Sequence, residues 1–195
     1  MKIIGGTMQN LSIKALNVET WNDFEQLAQN HNGGGFGGCW CTAFHPKPPE
    51  KHRSAEDAQA YKKMLVNEAR AHAALVFDGD ICVAWCQFGP PQELPNIYHK
   101  KEVESKITMP DWRITCIFVD RDYRKKGLSF FALNGALELI RNLGGGVVES
   151  YPQDTQGRRI SNSFLYNGTK EIFEKAGFNY EGKKGKNHCI VRKTI

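Results

Sequence analysis

The chain has 195 residues, 41% hydrophobic and 24% charged, with a formal net charge of +5 at neutral pH. That balance reads as one soluble domain over 1–195. No apolar run approaches the ~20 residues that cross a bilayer, and MKIIGGTMQN lacks an apolar export core of roughly 7–15 residues. A cytoplasmic protein that makes no membrane contact is expected. Six cysteines without an export signal favour thiols over a disulfide framework. A charge of +5 suits an anionic cofactor or a nucleic acid. No basic stripe interleaved with aromatics and no helix-turn-helix pattern is present, so nucleic acid is not expected.

LSIKALN (11–17) alternates as a first strand, and TWNDFEQLAQNHN (20–32) follows with Trp21, Phe24, Leu27 and Ala28 at helical spacing. GGGFGGCWC (33–41) ends that helix, and Pro46, Pro48 and Pro49 keep the next stretch irregular. Ser54 is placed to cap a second helix to about residue 71, with Ala58, Tyr61, Leu65 and Ala69 on one face. HAALVFD and ICVAWCQFG flank Gly79 and Asp80 as a hairpin. In the second strand Cys82, Ala84, Cys86 and Phe88 share one face, with Ile81, Val83 and Trp85 on the other. Both faces are apolar, which places that strand centrally.

A short exposed helix is expected over 95–106. WRITCIFVD (112–120) is again apolar on both faces, Ile114, Cys116 and Phe118 against Thr115, Ile117 and Val119. LSFFALNGALELIRNL (128–143) is a helix with a stripe of Phe130, Leu133, Leu137 and Ile140, stopped by Gly144–Gly146. GVVESYP is a strand closed by Pro152, DTQGRRISNS a polar loop, TKEIFEKAGF a short helix, and two strands end the chain. The order β-α-α-β-β-(α)-β-α-β-α-β-β defines an α/β (α+β) fold, one mixed sheet with helices on both faces.

Strand, RKKGLS (124–129), then amphipathic helix is the unit that carries chemistry. A helix start offers unpaired N–H groups and the positive end of a dipole. Gly127 lets a diphosphate approach the backbone, and Arg124, Lys125 and Lys126 add charge beside it. Asp120 and Asp122 flank the turn and read as turn formers.

The unit resembles motif A of the GNAT acyl-CoA N-acyltransferases, (Arg/Gln)-x-x-Gly-x-(Gly/Ala). Arg124 and Gly127 match, and Ser129 departs from the last position while staying small. IFEKAGF (172–178) is similar to the family's closing signature, Leu-Tyr-Glu-Lys-Leu-Gly-Phe, and is likewise followed by two strands. The resemblance implies the GNAT fold, a sheet splayed between its fourth and fifth strands. It implies acetyl-CoA as cosubstrate, lying against Phe118 and Val119, with its pyrophosphate on Arg124, Lys125, Lys126, Gly127, Leu128 and Ser129. The pantetheine would run between 113–119 and 146–151. The implied activity is transfer of an acetyl group to an amine, here of a small acceptor, by a monomer or homodimer. A catalytically silent module that binds acyl-CoA or a small ligand is the second reading.

Amine acylation needs a base, and gains from an acid that protonates the leaving thiolate. Family members often use a tyrosine in the closing signature as the acid; Phe173 stands there in this chain. Tyr151 and Tyr166 are the substitutes at hand. Glu149 is the candidate base and acceptor contact, because a glutamate in an apolar strand wants a reason; it either serves there or simply points to solvent or pairs with an arginine.

GGGFGGCWC falls where the fold lines its acceptor side. A phosphate cradle is disfavoured, since no strand precedes it. Zinc on Cys39, Cys41, His45 and His52 meets the objection that Cys-x-Cys is not the usual ligand gap, and no metal is expected. A redox pair lacks Cys-x-x-Cys spacing. What is left is a loop whose Phe36 and Trp40 either cover the acceptor or anchor the loop to the core. Arg158 and Arg159 in the 149–169 segment read as solvated, and His188 and Cys189 as structural.

Overall fold

The computed structural model describes residues 10–30, 40–47, 54–104, 108–158, 160–161 and 164–195. Seven strands form one sheet in the order β1-β2-β3-β4-β5-β7-β6. They are β1 (Leu11–Ala15), β2 (His72–Asp78), β3 (Ile81–Gly89), β4 (Trp112–Val119), β5 (Val147–Ser150), β6 (Asn179–Lys184) and β7 (His188–Thr194). All pairings are antiparallel except β4–β5, which is parallel. The element order is the one the sequence predicts.

Helices α1 (Trp21–Asn30) and α2 (Ala55–Asn67) cover one face; α4 (Leu128–Asn142) and α5 (Lys170–Lys175) cover the other. Apolar spacing explains α1, whose Trp21, Phe24, Leu27 and Ala28 are all buried. A reciprocal box starts α2: the Asp57 N–H donates to Ser54 Oγ at 3.2 Å and the Ser54 N–H to Asp57 Oδ2 at 3.1 Å. That helix stops at Asn67, short of the expected residue 71. Ala69 turns left-handed (φ 54°) and is exposed, not on the buried face. Past the reversal Ala71, just before β2, is buried in the α1–α2 core. Helix α3 (Lys100–Glu104) begins at Lys100, later than the expected residue 95.

In α4, Leu133, Leu137 and Ile140 are buried as expected, joined by Leu128, Ala132 and Ala136, while Phe130 is half-buried. Each fully buried leucine or isoleucine contributes roughly 1.5–3 kcal/mol. Gly135 costs helix propensity, about 1 kcal/mol relative to alanine. It admits Ile13 of β1, since a Cβ at Gly135 would lie 2.6 Å from the Ile13 Cδ1 atom.

Two bulges alter the expected faces. Val76 opposes Ala84 and Phe77 opposes Cys82, so Val83 is the extra residue. Cys82 therefore packs with the α1–α2 core, whereas Ala84, Cys86 and Phe88 join the α4 core. On β4, Gln87 opposes Cys116 and Phe88 opposes Ile114, leaving Thr115 over. Ile114 and Ile117 consequently share the α4 core while Cys116 joins the α1–α2 core, where Phe118 packs against it. An inserted residue shifts a period of two by one, which strict alternation cannot anticipate.

The fourth and fifth strands splay. They pair through Trp112–Val148, Arg113–Glu149 and Ile114–Ser150, and the ladder stops there while β4 continues to Val119. Among the described residues no helix is long and apolar enough to cross a membrane.

Candidate active site

The turn after β4 is built by its own side chains. Asp120 Oδ1 accepts from the Asp122 N–H at 2.8 Å, which starts a 3-10 turn over Arg121–Tyr123. The Arg124 Nε then donates to the Val119 carbonyl at 3.2 Å, folding the chain back on the strand. Lys125 and Gly127 adopt left-handed φ of 62° and 81°, and Gly127 caps α4 without a side-chain hydrogen bond. The Gly127 carbonyl takes the first helical bonds, from Phe130 and Phe131. The amides of Lys125 to Ser129 donate to nothing among the described residues. A Cβ at Gly127 would meet no atom within 4 Å, and Arg124, Lys125 and Lys126 are exposed. Bare amides, a helix dipole and three cations around open space are complementary to a dianion.

Beyond Ile114 the edge of β4 faces the opening left by β5. The Ile117 N–H donates to the Tyr166 carbonyl at 2.6 Å, so the 164–169 segment crosses that opening. Val119 and Phe118 lie on opposite faces of β4, Phe118 stacked on Trp85 at 4.3 Å between centroids. Tyr166 is half-buried, 6.0 Å from the Phe44 ring and 6.4 Å from that of His188. Burial, then the neighbouring Tyr98 and Cys116, pushes its phenol up to about 12. It stays protonated throughout the neutral range and can donate a proton. Burial and Lys184 hold His188 below the usual histidine value, and its Nε2 is buried with no partner among the described residues.

Glu149 and Tyr151 form a buried network with Arg192. Glu149 is 0% exposed and Tyr151 1%. The Tyr151 hydroxyl donates to Glu149 Oε1, and Arg192 of β7 holds Oε2 through Nε at 2.7 Å and Nη2 at 2.6 Å. Burial, and then Glu149, drives the Tyr151 phenol well above its ordinary value. Of the two roles weighed for Glu149, the arrangement is that of an arginine pair. A cavity of about 230 Å³ lies beside it, lined by Arg113, Thr108 and Met109 among others.

Trp40 is 1% exposed and stacks on Trp21 at 6.1 Å, in the α1–α2 core, the arrangement of an anchor rather than a cover. Phe36, Cys39, His52 and Arg159 lie outside the described residues. Phe173 is fully buried against Phe178 at 5.0 Å, so a tyrosine there would have no open path to a thiolate.

One polar chain has no counterpart in the sequence reading. Thr115, the extra residue of β4, accepts from Gln87 Nε2 at 3.0 Å; Lys62 Nζ donates to Gln87 Oε1 at 2.6 Å and meets His45 Nε2 at 3.0 Å; His45 Nδ1 reaches the Glu93 carbonyl at 3.0 Å. All four side chains are buried. His45, weighed as a zinc ligand, has both ring nitrogens occupied here. Burial and Lys62 lower it to about 2, so it is neutral. A glutamine within the apolar run of β3 was the available signal for this chain. Cys41 meets Cys116 of β4, sulfur to sulfur at 2.9 Å.

A splayed mixed sheet with an amide-lined turn at the opening is the architecture of acyl-CoA-dependent transferases. The profile of the GNAT acetyltransferase family matches residues 39–158, more than half of the chain, and the chain belongs to that family. No curated protein sequence matches it. Its backbone is similar to that of an N-acetyltransferase from Staphylococcus aureus (12% identity, TM-score 0.52, covering 95% of this chain and 99% of that one). It is similar also to a Corynebacterium glutamicum protein described as histone acetyltransferase HPA2 and related acetyltransferase (10%, 0.56, 95% and 96%). A third is yncA of Salmonella typhimurium, solved with its cofactor acetyl-CoA (10%, 0.51, 94% and 93%). At such identities the likeness shows the fold.

Proposed function

We propose that this chain, acting as one domain, transfers the acetyl group of acetyl-CoA to the amine of a small acceptor. The observation that carries the reading is the run of undonated amides from Lys125 to Ser129 around a left-handed Gly127 with open space above it. In this reading those amides and the Arg124–Lys126 side chains hold the pyrophosphate. The edge of β4 beyond Ile114, with Val119 and Phe118, holds the pantetheine. The acceptor nitrogen attacks the thioester carbon, and the carbon–sulfur bond then breaks. Tyr166 supplies the proton to the leaving thiolate, since its raised phenol is protonated and its backbone carbonyl ties the residue to Ile117 on the β4 edge. The proton that the amine sheds passes to water. Glu149 and Tyr151 are positioning residues here, not proton carriers.

The silent alternative has its own support in the buried Phe173 and the closed Glu149–Arg192 pair. A thiol-release assay over a panel of primary amines separates the two. Turnover that falls about 100-fold in Tyr166→Phe, with the KM for acetyl-CoA retained, supports transfer with Tyr166 as acid. CoA binding by calorimetry without turnover on any amine supports the silent module. No CoA binding at all removes both.

A further inference from the structure

The GGGFGGCWC run is not absorbed by acyl transfer, yet its last residue sits against the strand that transfer would use. Cys41 and Cys116 place their sulfurs 2.9 Å apart. A disulfide bond is about 2.05 Å, so the two sulfurs stand less than one ångström beyond bonding distance. Cys41 holds a left-handed backbone (φ 52°) on the segment between α1 and α2. Cys116 directly follows the bulge residue of β4. The two are 75 positions apart in sequence.

Cys41 and Cys116 are buried, 3% and 5% exposed, and Cys86 lies near Cys41. Cys82 and Cys189 direct their thiols to the Ala84 and Pro152 carbonyls at 3.8 and 3.7 Å. Burial pushes both up to about 12, and it pushes Cys86 up as well.

We propose that Cys41 and Cys116 form a redox modification site, at which hydrogen peroxide converts two thiols into an intrachain disulfide. One thiolate attacks a peroxide oxygen; the oxygen–oxygen bond breaks, hydroxide leaves and a sulfenic acid forms. The second sulfur attacks the sulfenic sulfur, the sulfur–oxygen bond breaks, and the departing hydroxide leaves as water with the second thiol's proton. Two thiols are oxidised by two electrons and one peroxide is reduced to two waters. A small dithiol reverses the step by exchange. The bond joins the 40–47 segment, with Trp40 in the α1–α2 core, to the middle of β4. The site stands on its own geometry and does not require the acyl-transfer reading.

The test treats the intact protein with a modest excess of hydrogen peroxide and counts thiols after denaturation, against the six in the sequence. The expected count falls from six to four and returns to six with dithiothreitol. Peptide mapping without reductant finds one cross-linked species joining Cys41 to Cys116. Cys39→Ser keeps this cross-link; Cys41→Ser and Cys116→Ser lose it. The wild-type mapping decides alone if a variant fails to fold. Six thiols after treatment, a cross-link through Cys39, or sulfinic acid at either position without a cross-link each overturns the proposal.

Discussion

Burial decides what single side chains can do in this molecule. Glu149 has the residue type of a base, but Tyr151 and Arg192 occupy its two oxygens, and an ion pair of this kind is broken at a cost of roughly 3–5 kcal/mol. Loss of activity in a Glu149 variant would therefore report the fold before it reported catalysis. His45 makes a sharper test. It is held neutral in the fold, its value lowered to about 2 by burial and by Lys62. In the unfolded chain it takes a proton near its ordinary value of about 6.5. Between these limits the unfolded state binds the extra proton. This contribution to stability is full above about 6.5 and falls as pH drops, by up to about 1.4 kcal/mol per unit. Urea midpoints measured from about pH 7.5 down to about pH 5 should decline more steeply for the wild type than for His45→Gln. Parallel declines would mean that the ring is protonated in the fold.

At the scale of elements, the start of α4 is the feature on which the proposed diphosphate site depends. Gly127 at φ 81° is a conformation that side-chain-bearing residues occupy at a cost of order 1–3 kcal/mol, least readily when β-branched. Nothing crowds a Cβ there, so Gly127→Val should still fold. Its branched side chain would rise among the bare amides and pull the turn from the left-handed region. The expected result by calorimetry is CoA affinity at least about tenfold weaker, about 1.4 kcal/mol. Affinity equal to wild type would move the diphosphate elsewhere. This element was legible in the sequence because its signals are local: a helical period, a glycine and a basic cluster within 20 residues. The faces of β4 were not, because the extra residue Thr115 shifts the alternation and only the partner strand reveals it. The partners of Glu149 and Cys41 were hidden for a related reason. Arg192 meets Glu149 because β7 inserts between β5 and β6, and Cys116 meets Cys41 across the sheet face. Sequence spacing carries neither fact.

The whole molecule has a seam. β1–β4 and β5–β7–β6 meet through three parallel register pairs, steadied by Asp111, whose N–H donates to the Val147 carbonyl at 3.0 Å and whose carboxylate accepts from the Val147 N–H at 2.7 Å. Beneath the seam the α4 core runs on from one half into the other, taking in Val148, Phe173, Phe178, Cys189 and Val191. Above it, past Ile114, the bridge among the named backbone bonds is Ile117 to Tyr166. On the proposed reading, CoA lies along this opening from β4 to the start of α4, adding contacts that the unfolded chain cannot make. A ligand present at about 100 times its Kd adds about 2.7 kcal/mol. For a chain of this length about 1 kcal/mol moves Tm by roughly 2–4 °C, so a rise of about 5–10 °C is expected. The rise alone would not locate the ligand, but amide hydrogen exchange would. Lys125–Ser129 lack acceptors among the described residues, so their exchange should slow the most on adding CoA, followed by the β4 segment 115–119, while β1 and β2, at the far edge of the sheet, stay unchanged. Protection confined to β1 and β2, or to the Arg113–Glu149 cavity, would separate CoA binding from the seam and end the acyl-transfer reading of this site.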